Sequence, residues 1–235
     1  MKKVAAIYDI HGNLTALEAV LAEIRKEHVD CVVVGGDVAW GPDPTGVVDL
    51  LMHLPWDVRF VRGNTDREVA GRYGVAQGLE GQDAKINEWC ADQLNGDQLE
   101  FLRTLPDNQT LRVDGLGPVL FVHGSPRSDT EAIRRSTPDS EITPMLAGVS
   151  ENIVVCGHTH IQFDRAVGTK RVVNPGSVGL QSMARGACWA LFSQDVTLKV
   201  TNYDVEKAAE RIRKTGVPMA EEFAGHVLNP PMEGP

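Results

Sequence analysis

The chain has 235 residues, 42% hydrophobic and 23% charged, with a formal net charge of −9. That length suits one large α/β domain with a core that needs no disulfide staples. The acidic balance argues against sequence-blind binding to nucleic acid or to an anionic membrane, although a single phosphate can still enter a cleft where divalent ions supply local positive charge.

The chain opens on a short apolar run, residues 4–8, of the kind that forms a buried parallel strand. It is too short for a signal peptide or a membrane-spanning helix, and a reducing cytoplasm is the expected location. The run stops at Asp9-Ile10-His11. Asn13 is then a helix N-cap, and Leu14, Leu17, Val20, Leu21 and Ile24 mark one helical face. A second run, 31–34, stops at Gly36-Asp37, and Asp43-Pro44 opens a second helix with proline at its first position. A third run, 58–61, stops at Gly63-Asn64. This β-α-β-α-β order implies right-handed crossovers and a parallel core.

Residues 66–105 read as a helical insert. Strands return from residue 109. The run 119–122 stops at His123-Gly124, and 153–156 stops at Gly157-His158-Thr159-His160. Residues 161–203 alternate between turn signals and predict a meander of strands. A terminal helix over 204–215, capped by Asp204, is followed by a turn-rich tail with no evident anchor. The four cysteines, Cys31, Cys90, Cys156 and Cys188, form no Cys-x-x-Cys pair and read as buried free thiols.

In open α/β sheets, ligands bind beyond the carboxyl ends of the strands. Five apolar runs here end in carboxylate, amide or imidazole groups. Gly-Asp and Gly-Asn pairs are ordinary turns when taken singly; five such segments in succession at strand ends are specific. Imidazole and carboxylate together suit Mn, Fe or Zn. Of the seven histidines, His11, His123, His158 and His160 fall inside these segments. His28, His53 and His226 stand outside every motif and read as non-functional. Arg127, four residues after His123, is placed to reach a substrate phosphate.

The set of motifs resembles the calcineurin-like metallophosphoesterase superfamily, and is most similar to the small bacterial and archaeal YfcE-like phosphodiesterases. The match spans about residues 2–203; the insert and the tail lie outside it. The resemblance implies an αββα sandwich forming one domain over 1–235, with two divalent ions and a metal-bridging water or hydroxide as nucleophile. By matching motif, Asp9, His11, Asp37 and His160 would hold one ion. Asp37, Asn64, His123 and His158 would hold the other, with Asp37 shared and Asp37, Asn64 and His123 closest to the chemistry. Asn174-Pro175-Gly176-Ser177 resembles a family loop near the site. Manganese is the first choice of metal because the donors are oxygen and nitrogen without thiolate, with iron or zinc left open.

One departure is informative. Many family members carry His directly after the Gly-Asn pair; here Thr65 stands in that place, followed by Asp66. The expected activity is hydrolysis of a small phosphodiester. Phosphomonoester or dinucleoside-polyphosphate hydrolysis on the same site is the enzymatic alternative. A catalytically inactive scaffold, as one retromer subunit of this fold is, stands as the rival from another class; its mark is decay of the ligands, and here every ligand position is filled. Homo-oligomerisation is left open.

Overall fold

A computed structural model describes residues 3–74, 77 and 81–235. Two five-stranded sheets face each other. The first has the order β10(Val196–Thr201), β9(Ala187–Phe192), β1(Val4–Ile7), β2(Cys31–Val34), β3(Asp57–Phe60). The second has the order β4(Asn108–Val113), β5(Gly117–Val122), β6(Ile153–Val155), β8(Lys170–Asn174), β7(Phe163–Val167). Each has a parallel centre, β1-β2-β3 in one and β5-β6-β8 in the other, with antiparallel strands outside it.

The central strands are apolar throughout, yet the twofold alternation of a strand still sorts their side chains. Val4 and Ala6 of β1 and Cys31 and Val33 of β2 point inward. There they meet Val119 and Phe121 of β5 and Val155 of β6 between the sheets. Phe121 and Phe192 pack edge to face at 5.6 Å, and burying each is worth about 1.5–3 kcal/mol. Ala5, Ile7, Val32 and Val34 point outward. They are covered by α1(Leu14–Lys26), α2(Pro44–Met52) and the C-terminal helices α7(Val205–Arg213) and α8(Ala220–Leu228). On the other outer face, Leu120, Val154 and Val172 pack against Ile142 and Leu146 around α6(Asp139–Met145). The layers are therefore helix, sheet, sheet, helix.

The expected caps are present: Asn13 accepts from the Ala16 N–H, Asp43 from Gly46 and Asp204 from Lys207. The insert comprises α3(Asn64–Ala70), α4(Gly81–Gln93) and α5(Gly96–Arg103). All four cysteines are buried, and burial pushes the Cys90 and Cys188 thiols up to about 12.

Three sequence expectations are corrected. Residues 161–203 do not form one meander: β7 and β8 close the second sheet, and β9 and β10 belong to the first. Alternation identifies a strand but not its partner. The 175–186 connection that changes sheets is held by Ser177, whose Oγ donates to the Asp9 carbonyl at 2.7 Å. Second, α6 was unexpected because its seven residues include Pro144 and bury only Ile142. Third, the tail after α8 is anchored. Pro231 accepts from the Met183 N–H at 2.8 Å, and Arg134 Nη1 donates to the Pro235 carbonyl. Gly234 lies so close to the Thr159 carbonyl that a Cβ there would stand 1.9 Å from its oxygen.

Candidate metal centre

The five strand ends meet at one edge of the sandwich, and backbone hydrogen bonds sew their loops together. The loop after β1 donates to the loop after β2 from Asp9 to Gly36 (3.1 Å), His11 to Asp37 (2.9 Å) and Gly12 to Val38 (3.0 Å). Gly157 donates to His123 at 2.6 Å. Asn174 Nδ2 donates to the Gly157 carbonyl at 2.9 Å and to Thr159 Oγ1 at 3.0 Å, which puts the 174–177 segment beneath the site. Two glycines permit the close approach. A Cβ on Gly63 would stand 2.1 Å from Asp37 Oδ1, and one on Gly36 would stand 2.8 Å from His123 Nδ1.

Five of the candidate ligands share an uncommon backbone. Asp9, His11, Asp37, His158 and His160 all have φ between 46° and 65°. The left-handed region costs a non-glycine residue of order 1–3 kcal/mol and persists only where the surroundings impose it. Five such residues at five loop positions, all turned toward one point, indicate strain concentrated at a functional site.

Two groups of ligand atoms result. Asp9, His11 and His160 form one and Asp37, His123 and His158 the other, the atoms of each group lying within 4.8 Å of one another. His11 Nε2 and His160 Nε2 are 3.0 Å apart. Asp37 Oδ2 lies 3.7 Å from His11 Nε2 and 3.4 Å from His123 Nε2, between the two groups. Asn64 Oδ1 is 3.2 Å from His123 Nε2.

Outer contacts orient these ligands. His11 Nδ1 donates to the Trp40 carbonyl at 3.1 Å and His123 Nδ1 to the Gly35 carbonyl at 2.9 Å, which turns each Nε2 toward the centre. Asp37 Oδ1 accepts from the Thr65 N–H at 2.9 Å, so Oδ2 is free to face inward. Asp9 accepts from the His158 N–H at 3.2 Å. His160 Nδ1 is buried without a partner.

Asp66, fully buried, is a positioning residue that the motifs do not show. Its Oδ2 accepts from the N–H groups of Asp37 (2.8 Å) and Gly63 (3.0 Å), and Oδ1 from Val38 (2.8 Å). One carboxylate thus ties two ligand loops together. Its place at the third position of α3 is the signal that finds it.

The electrostatics are those of a crowded, dry site. Burial and the neighbouring Asp37 push the Asp66 carboxyl up to about 6. Burial raises Asp9 to about 8, against the pull of His123. Burial lowers His11 to about 4 and holds His160 well below the ordinary imidazole value. His123 moves the other way: burial opposes its charge, but the Asp37 carboxylate outweighs burial and takes it to about 10. For Asp37 burial raises the pKa, and His123 and His11 outweigh that, holding it well below the usual carboxylate range. Two carboxylates and four imidazoles closed off from water are the donor set of divalent transition ions. The facing Nε2 atoms of His11 and His160 fit such a use.

A cavity of about 560 Å³ opens over the centre and is lined by His11, Asp37, Asn64, His158 and His160. Thr65 lines it too, with Oγ1 buried and unpartnered. So does His226 of α8, which corrects its reading as a residue remote from function: its Nε2 donates to the Gln181 carbonyl at 2.8 Å. No motif marks His226 because α8 reaches the site from far along the chain. Arg127 is elsewhere. It pairs with Glu131 at 2.5 Å and lines a second cavity of about 440 Å³ beside His123, together with Arg62 and Arg67.

Comparison with known proteins gives a family and a fold. A sequence model of the calcineurin-like phosphoesterase superfamily domain matches residues 2–196. An uncharacterized protein of Methanocaldococcus jannaschii is 28% identical, over 92% of this chain and 93% of its own. A metallophosphoesterase of Sphaerobacter thermophilus superposes with a TM-score of 0.75 at 26% identity, over 97% of this chain and 98% of its own. A hypothetical protein of Pyrococcus horikoshii OT3 shares the fold with a TM-score of 0.84 at 22% identity and the same coverage.

Proposed function

The chain belongs to the calcineurin-like phosphoesterase superfamily, and from that premise we propose that it is a two-metal phosphodiesterase acting on a small substrate, with its 235 residues working as one domain. Asp9, His11, Asp37 and His160 would hold one ion, and Asp37, Asn64, His123 and His158 the other. The observation that carries this reading is the position of Asp37 Oδ2, within 3.7 Å of an imidazole from each group. Two divalent ions would acidify a water shared between them and neutralise charge on the phosphoryl oxygens. Manganese is the proposed metal, since no thiolate is in the set.

The chain's own residues do the rest. The Trp40 and Gly35 carbonyls fix the tautomers of His11 and His123. Asp66 keeps the Asp37 and Asn64 loops at one spacing. Thr65 offers a hydroxyl to the substrate but no practical general acid near neutral pH. Arg127 would contact a phosphate only from the His123 side, by exchanging Glu131 for it.

The complete ligand sets favour an enzyme over an inactive scaffold of the same fold. The test is hydrolysis of a panel of diesters and monoesters with added Mn and with chelator. Metal-dependent turnover favouring diesters supports the reading. Preference for monoesters would move the assignment to a phosphomonoesterase, and no turnover of any ester would end it. No helix among the described residues is long and apolar enough to cross a membrane, and we propose cytoplasmic action.

A further inference from the structure

We infer that the 560 Å³ cavity is a subsite for one uncharged, ring-bearing arm of a phosphodiester, and that its acidic rim rejects an arm carrying a further anionic group. This rests on the phosphodiesterase reading above and specifies its substrate class.

The cavity has two kinds of wall. Trp40, Leu180 and Pro231 give it apolar surface, and the Trp40 ring is braced edge-on by Phe223 at 5.3 Å and lies 5.5 Å from His11. A smaller cavity of about 200 Å³ shares Trp40, Asp83, Leu180 and His226 with it and continues toward Ile86 and Met219. An arm on this side therefore has the Trp40 indole in the lining of both cavities, with Ile86 and Met219, and the carboxylate of Glu222, in the smaller one. Flat apolar groups bury well against such surfaces.

The polar features are specific. Ser182 is 1% exposed, lines the cavity, and has an Oγ without a hydrogen-bond partner. A buried hydroxyl left unpaired costs free energy that a ligand's polar edge can recover. Around it stand the carboxylates of Glu68 from α3, Asp83 from α4 and Glu233 from the tail. Among the described residues the lining includes no lysine or arginine. Arg62, Arg67 and Arg127 line the separate cavity beside His123. Arg67 lies 3.8 Å from Glu68, and Arg134 donates to the Pro235 carbonyl, so Asp83 and Glu233 are the rim carboxylates on which the inference rests. A second phosphate or carboxylate on the arm in the larger cavity would face the like charge of Asp83 and Glu233 with no lysine or arginine in the described lining to meet it. Polyphosphate chains, as in dinucleoside polyphosphates, are disfavoured on this side for the same reason.

The test uses two symmetric, isosteric substrates, bis(4-carbamoylphenyl) phosphate and bis(4-carboxyphenyl) phosphate, with Mn-loaded protein. Symmetry ensures that one arm of either must occupy the cavity. The neutral substrate should have kcat/KM at least about tenfold higher, in line with the cost of like-charge contact. In the double variant Asp83→Asn/Glu233→Gln, whose sites are both exposed, the ratio should fall toward one, chiefly through KM for the carboxylate. Ser182→Ala should raise KM for the carbamoyl substrate more than for diphenyl phosphate. Equal kcat/KM for both substrates in the unmodified protein, or a ratio that the double variant leaves unchanged, would overturn the inference while leaving the phosphodiesterase reading intact. No hydrolysis of any diester by the metal-loaded protein would overturn both.

Discussion

The Nε2 atoms of His11 and His160 face each other 3.0 Å apart. Adjacent ligands around one octahedral cation with bonds of about 2.1 Å are separated by about 3.0 Å. The two rings come from loops 149 residues apart in sequence, and each adopts a left-handed backbone to reach this position. The loops are held at ligand spacing by contacts outside the centre, and removal of those contacts should be felt in metal affinity.

Asp37→Asn should lower diester hydrolysis by about a hundredfold or more, because its Oδ2 serves both ligand groups and a neutral amide is a poor bridge. His53→Ala should be nearly silent, since that ring is exposed and bonded only to the Asp49 carbonyl. Steady-state rates of the two variants under saturating Mn check this; equal activities would misplace the site.

Asp66→Ala should destabilise the protein by roughly 3 kcal/mol, because four buried N–H groups, those of Asp37, Val38, Ala39 and Gly63, lose their acceptor. Asp66→Asn, which keeps one acceptor oxygen, should recover part of that and part of the metal affinity. Thermal melts with and without Mn separate the two effects. An Asp66→Ala protein of unchanged stability and affinity would remove its positioning role.

The pH dependence has a definite sign. Asp9 rises on folding from 3.8 to about 8 and His123 from 6.5 to about 10. Each binds a proton more tightly when folded, so each contributes stability that is full below its unfolded value and is lost as pH rises through its folded value. His11, lowered to about 4, has the opposite sense, and its contribution is already complete by pH 7. Metal-free protein should therefore lose stability between about pH 6.5 and pH 10, most steeply up to about pH 8 where both groups contribute, and Mn, which takes the place of those protons, should stabilise it more as pH rises. Calorimetric titration in buffers of different ionisation enthalpy should show proton release on binding at pH 7; none would contradict the assignment of these two groups.

Aryl diesters should be cleaved much faster than alkyl diesters, with a steep slope of log rate against leaving-group pKa. General acid catalysis is worth roughly a hundredfold to ten-thousandfold, and Thr65 cannot supply it. Thr65→His should flatten the slope if its ring reaches the leaving oxygen. Asp66, the next residue in the chain, is committed to four backbone N–H groups and is not available to orient such a ring. A flat slope in the unmodified protein, with chemistry rate-limiting, would place the acid on another group lining the cavity.

The αββα layering is implied by the family resemblance, whereas the strands and the candidate ligands at their ends are legible directly, because they are written locally. Apolar runs of four to five residues ending in Asp, Asn or His mark strands and their functional ends. What it hides is set by distant packing. Ser177 anchors a connection between sheets, so the sheet membership of β9 could not be read from alternation. His226 and Glu233 line the cavity because α8 and the tail fold back across it, and neither carries a local signature. Arg127 sits beside a motif histidine, yet Glu131 four residues on captures its guanidinium.

The most direct test of the account is the number of metal ions per chain. Protein loaded with excess Mn and freed of unbound metal should retain close to two ions by elemental analysis, falling sharply in Asp37→Asn, with diester hydrolysis lost and restored in step with chelation and reloading. Retention of essentially none after such loading, in protein that is folded by its thermal transition, would contradict the two-metal centre and the enzyme built on it.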